Sequence, residues 1–197
     1  MVADTVLVAL VAAAAITDLW RRKIYNWLTY SGIVLAVGWN ALGWLLQPHR
    51  ELETAVDATA PNISNITGWI GIGDSLAGLA ACGGVMVLCY GAFRIGGGDV
   101  KLIAMMGAFL GLERGIEALL WTFVIGSAVA VITLIWRVGA WRLMVRLLRQ
   151  VASTLRLGFW NPLSPEERRE LQAPLFLAPS ALGAVLTVLV SRAWGWQ

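Results

Sequence analysis

The stretch FRIGGGDVKLIAMMGAFLG, residues 93–111, sets three glycines, an aspartate and a lysine between two apolar runs. A carboxylate at membrane depth is expensive, so Asp99 needs a partner or a task. The composition fixes the setting. Of 197 residues, 58% are hydrophobic and 14% charged, against about 25% charged in a soluble domain. The mean hydropathy is +0.72. Long apolar runs with few charges are membrane spans, so the chain reads as one integral membrane domain over residues 1–197.

Working outward from Asp99, six hydrophobic segments emerge, at Val2–Leu19, Trp27–Leu46, Trp69–Phe93, Val100–Leu110, Gly115–Trp136 and Ala173–Trp194. Most reach the roughly 20 residues that a spanning helix needs. The fourth has about half that length, so it is either longer than it looks or buried among the others. The glycines of GLAACGG (78–84) suit close helix packing in lipid. The expected fold is all-α, a polytopic membrane bundle of about six transmembrane helices. The eleven tryptophans fit anchoring at the two interfaces.

Charge gives the orientation. If all six segments span, Arg21, Arg22 and Lys23, then Arg94 and Lys101, then the arginines of 137–169 fall on one side. The other side keeps only Arg50, Arg114 and Arg192 of the 15 basic residues. The positive-inside rule puts the first group in the cytoplasm and both termini outside. Within 138–172, arginines 142, 146, 149 and 156 share one helix face, which reads as a basic amphipathic helix on the inner leaflet or a docking surface for a partner. Ser164, with Pro165 and Glu167, suits the start of a short helix there.

Several function classes drop out. The net charge of +3 comes with no basic arm or nucleic-acid motif, so no nucleic-acid partner is expected. Cys82 and Cys89 form no C-x-x-C pair and read as small hydrophobes in a packed helix, so no metal site is expected. MVADTV lacks the basic start of a cleavable signal, and the first run reads as a retained span. NIS and NIT at 62–67 read as polar loop. One histidine, His49, sits in an outer loop away from both cysteines, which disfavours a nucleophile with a histidine base.

Two aspartates remain. Asp18, in TDLWRRKIYN, ends the first segment on the cytoplasmic side, and Asp99 opens the fourth on that same side. Asp4 and Asp74 fall opposite. A carboxylate pair can activate water without metal or cofactor, one ionised and taking a proton, the other protonated and polarising a carbonyl. The helix end beside Asp18 favours its protonated form, and the helix start at Asp99 favours ionisation, which would make Asp18 the proton holder and Asp99 the base. Gly96, Gly97 and Gly98 would give the backbone unusual freedom and let a substrate strand pass close. Asp99 alone also suits a helix cap, and Asp18 alone an ordinary interfacial charge.

GGGDVKL resembles the GxGD-x-K-L signature of type IV prepilin peptidases, a family of intramembrane aspartic proteases. TDLWRRKIYN resembles that family's first motif, with Ile24 and Asn26 matching and Tyr25 where proline is usual. APLFLAPSALGA resembles its last segment, so the likeness covers nearly the whole chain. The resemblance implies Asp18 and Asp99 as the catalytic pair, with Gly96, Gly97, Gly98, Lys101 and Asn26 as substrate-binding or loop residues and no cofactor. It implies cleavage of the basic leader of prepilins or pseudopilins at the cytoplasmic face of a bacterial or archaeal inner membrane, with pilus or secretion machinery as a further partner. Lacking the paired C-x-x-C domain of larger members, the chain resembles the short peptidases of tight-adherence (Flp) systems, implying cleavage without methylation. Two other classes remain open at this point: a small ion- or proton-coupled transporter using the same aspartates, and an inactive assembly scaffold.

Overall fold

The chain is seen here in a computed structural model, which describes residues 1–21, 23–46, 67–93, 96–138, 144–145, 148 and 177–194. Five helices carry these residues: α1 (Val2–Arg21), α2 (Asn26–Leu46), α3 (Ile72–Phe93), α4 (Gly97–Val138) and α5 (Leu177–Trp194). Each is long and apolar enough to cross a membrane. Together they make an all-helical polytopic bundle. Most of the basic amphipathic stretch expected over 138–172, together with Ser164, His49 and most of the sequon segment, lies outside the described residues.

The fourth and fifth hydrophobic segments are two arms of α4, and Gly111 separates them. Its backbone (φ 83°, ψ −174°) is not helical and lies in a region open essentially to glycine alone. In a straight helix Gly107 and Gly115 would be about 12 Å apart. Instead, a Cβ on Gly115 would lie 3.1 Å from Gly107 Cα, so the arms double back on each other. The first arm, residues 97–110, rises about 21 Å, short of the roughly 30 Å of a hydrocarbon core. It is a half-length segment buried among the others: every residue from Leu102 to Leu110 is buried.

Such a break strands backbone groups in a place without water, and they must be satisfied within the protein. α3 supplies the partners. Asp74 Oδ1 accepts a hydrogen bond from Leu112 N–H at 3.1 Å, capping the second arm, and Ser75 Oγ donates to Ala108 O at 2.7 Å at the end of the first. The helices approach closely because glycine faces glycine: a Cβ on Gly78 would collide with the carbonyl oxygen of Gly107, and one on Gly107 with that of Gly78. Cys82, fully buried, fills the same seam, 3.0 Å from where a Cβ on Gly115 would sit.

α1 packs against α2 and α5, and α2 against α3. The buried face of α1 is Ala3, Leu7, Val11, Ala14 and Ala15, a helical stripe of mostly small residues. α5 answers with Ala178, Ala181, Ala184, Val185 and Val188. These two helices run antiparallel: Arg192 near the end of α5 reaches Asp4 at the start of α1, at 3.3 Å. The opposite faces are apolar too, with Val34, Leu88 and Val190 exposed as lipid-facing residues would be. Trp20 and Trp27 stand exposed at one end of the bundle, Trp44 and Trp194 at the other, in keeping with interfacial belts.

These features belong to one compact unit, Met1–Phe123 with Phe176–Gln197. Residues 124–138 belong to a second, Val124–Leu175. They are regular helix, with Thr133 Oγ1 donating to Val129 O at 2.7 Å.

Gly111→Ala would force a side chain into a glycine-only conformation and against the Asp74 carboxylate. It is expected to cost about 1–3 kcal/mol and to lower the melting temperature of the detergent-solubilised protein by several degrees. An unchanged melting temperature would contradict the hairpin geometry.

Candidate active site

At the end of the bundle marked by Trp20 and Trp27, a cavity of about 380 Å³ is lined by Asp18, Lys23, Ile24, Tyr25, Asn26, Gly96, Gly98 and Asp99. Three pieces of chain build it: the end of α1, the turn into α2, and the start of α4. The two aspartates singled out by topology thus line one cavity although 81 positions separate them in the chain. Both are half-buried.

Asp99 is placed by the start of α4. Val100 N–H bonds to Gly96 O at 3.4 Å, which makes Gly96 the N-cap and Asp99 the third helical residue. From there the Asp99 carboxylate reaches back to accept the Gly96 N–H, half of a capping box. A Cβ on Gly96 would come 2.9 Å from Asp99 Oδ2, so any larger residue there crowds the carboxylate.

The three glycines are therefore not alike. Gly97 and Gly98 are helical, and the positive-φ glycines among the described residues are Gly68, Gly71 and Gly111. The expected gain in backbone freedom is not what Gly96–Gly98 supply. Gly98 supplies closeness: a Cβ there would sit 3.0 Å from Ile24 Cβ, so the α1–α2 turn lies against α4. Gly97 is absent from the cavity wall, and a Cβ on it would meet nothing within 4 Å.

The α1–α2 turn closes the other wall. Tyr25 O accepts the Leu28 and Thr29 N–H groups (3.1 and 3.4 Å), making Tyr25 the N-cap of α2. Its hydroxyl accepts from Arg21 at 3.0 Å. Lys101 turns away from Asp99: its Nζ donates to Asn26 Oδ1 at 2.9 Å and lies 4.7 Å from the centre of the Tyr30 ring. It ties α4 to the start of α2 instead of lining the cavity.

Asp18 has a partner that the sequence did not announce. Its carboxylate faces the backbone N–H of Ala178, in the first turn of α5. It thus faces two helix ends, its own C-terminus and the N-terminus of α5, and the dipole argument from α1 alone included only one. Lys23, Ile24 and Tyr25 were missed as cavity residues as well. The sequence signals for them were the short distance from Asp18 and, for Ile24 and Tyr25, their place in the first motif. Among the described residues, no three His, Cys, Asp or Glu gather as a metal site would need.

A sequence model of the type IV leader peptidase family matches residues 5–131, which include both aspartates and the whole α4 start. The chain belongs to the type IV leader peptidase family. It is an aspartic-type prepilin leader peptidase and a multi-pass membrane protein, with prepilins as the family's substrates. No curated protein and no solved structure matches it.

Gly98→Val is expected to push the α1–α2 turn away from α4 and cut prepilin processing by about tenfold or more. Ile24→Ala should restore part of that loss in the double variant, because it removes the atoms in the way. Normal processing by Gly98→Val, in protein shown to be inserted, would contradict the close approach.

Proposed function

We propose that Asp18 and Asp99 are the catalytic pair of this leader peptidase and that they hydrolyse the prepilin leader by direct activation of water. The observation that carries the reading is their shared cavity. Two carboxylates facing one small volume do not both ionise freely, so the pair holds one proton between them. The ionised member takes a proton from water as its oxygen attacks the scissile carbonyl carbon. The protonated member donates to the carbonyl oxygen. The tetrahedral intermediate collapses as the departing amine nitrogen takes up a proton. Which aspartate starts with the proton is a property of the coupled pair.

The cavity volume, about 380 Å³, suits a short extended segment of peptide. The extended backbone needs polar partners at that depth, and the cavity wall includes Lys23, Asn26 and the backbone of Gly96 and Gly98. Arg21 and Lys23 stand at the same end as both aspartates. The positive-inside rule makes this end cytoplasmic and sets both termini outside, at the inner membrane of the cell. The peptidase is one domain across residues 1–197 and cleaves without methylating the new N-terminus, consistent with a chain whose two cysteines are Cys82 and Cys89.

Co-expression with a candidate prepilin tests the assignment. Asp18→Asn and Asp99→Asn are each expected to lower processing by about 10²- to 10⁴-fold with membrane insertion intact. Processing that survives in either variant removes that residue from the pair.

A further inference from the structure

α5 lies beyond residue 131, where the family match ends, yet it touches the site. Its first turn begins at Leu177, and the first backbone N–H groups of a helix have no partner within it. Pro179 lacks an N–H altogether, which the first turn tolerates. Ala178 has one, and Ala178 is fully buried, so water cannot serve it. An orphaned buried N–H is costly. The antiparallel register brings the Asp18 carboxylate level with it: Asp4 pairs with Arg192, and Asp18 and Ala178 each lie about four helical turns from that pair, toward the same end of the bundle.

The contact is held at a fixed register. α1 and α5 pack along the small-residue faces described above. At their far end Asp4 pairs with Arg192 at 3.3 Å, and with the N-terminal amine at 3.0 Å. With that end fixed and the alanine faces in contact, α5 cannot slide along α1 without opening the Asp18 contact. Asp18 thus sits in the last turn of α1 and against the first turn of α5. Its orientation toward Asp99 depends on both.

We propose that Ala178 is a positioning residue for catalysis: its backbone N–H holds one oxygen of the Asp18 carboxylate so that the other faces Asp99 and the substrate. This rests on the reading of Asp18 as catalytic. It extends the working site to the last helix, outside the two aspartate motifs. The chemical role is that of an orienting donor. A hydrogen bond to a charged group that is lost from a site typically changes its free energy enough for a tenfold or larger effect.

The test removes the N–H and nothing else. Replacing Ala178 by its α-hydroxy acid analogue turns the 177–178 amide into an ester, deleting the donor without adding an atom. Ala178→Pro deletes it genetically, and Ala178→Val adds comparable bulk while keeping it. Prepilin processing is followed in detergent with purified protein, as kcat and KM across pH. The ester and Ala178→Pro are expected to lose about tenfold or more in kcat with KM little changed, and to shift the pH profile of kcat. Ala178→Val should keep the wild-type pH profile. Equal behaviour of Ala178→Val and Ala178→Pro would assign the effect to packing. A wild-type kcat and pH profile in the ester would overturn the proposal. Asp18→Asn is run alongside: if it remains active, the catalytic pair itself is wrong, whereas an inactive Asp18→Asn beside a normal ester sinks only the Ala178 contact.

Discussion

A helix that starts inside a membrane bundle leaves N–H groups that lipid cannot satisfy, and this constraint organises the protein. Among the described residues, three such starts are met by an aspartate. Asp74 takes the N–H of Leu112 after the Gly111 break. Asp99 takes the N–H of Gly96 at the start of α4. Asp18 faces the N–H of Ala178 at the start of α5. The first lies at the end of the bundle opposite the other two and only builds structure. The other two share a cavity, and there the same carboxylates that satisfy helix starts are available for chemistry.

Small residues make this arrangement reachable. Gly78, Gly107 and Gly115 let α3 and both arms of α4 share one seam. The alanines of α1 and α5 do the same for the pair that carries Asp18. In lipid, where burial of apolar surface gives little drive between helices, close packing and interhelical hydrogen bonds hold the bundle. The Lys101–Asn26 bond and the Gly98–Ile24 approach then fix the α1–α2 turn against α4. The cavity is thus bounded by three chain segments, each tied to its neighbour by a named contact.

Much of this was legible in the sequence. Hydropathy and charge asymmetry are signals that run along the chain, so the segment boundaries and the placing of Asp18 and Asp99 at one end came from them directly. The short fourth segment was recognisable as unusual, and its burial follows from being apolar on every side. What pairs with what was not legible. No local pattern says that Asp18 meets Ala178, some 160 positions on, because that contact depends on α1 and α5 being neighbours. Asp74 read only as an acid on the outer side, since its partner exists only once Gly111 has broken α4. GGG read as three equivalent glycines; packing separates them, because Gly96 faces a carboxylate, Gly98 faces Ile24, and Gly97 faces open space.

The central claim is that the fold brings Asp18 and Asp99 to one place. The most direct measurement is intramolecular cross-linking in native membranes, in a background carrying Cys82→Ala and Cys89→Ala. The Asp18→Cys/Asp99→Cys double variant is treated with a short thiol-specific cross-linker, beside an Asp18→Cys/Asp74→Cys variant that spans opposite ends of the bundle. The fold predicts efficient cross-linking of the first pair and none of the second. An inserted protein in which the first pair fails to cross-link, or cross-links no better than the second, would contradict it.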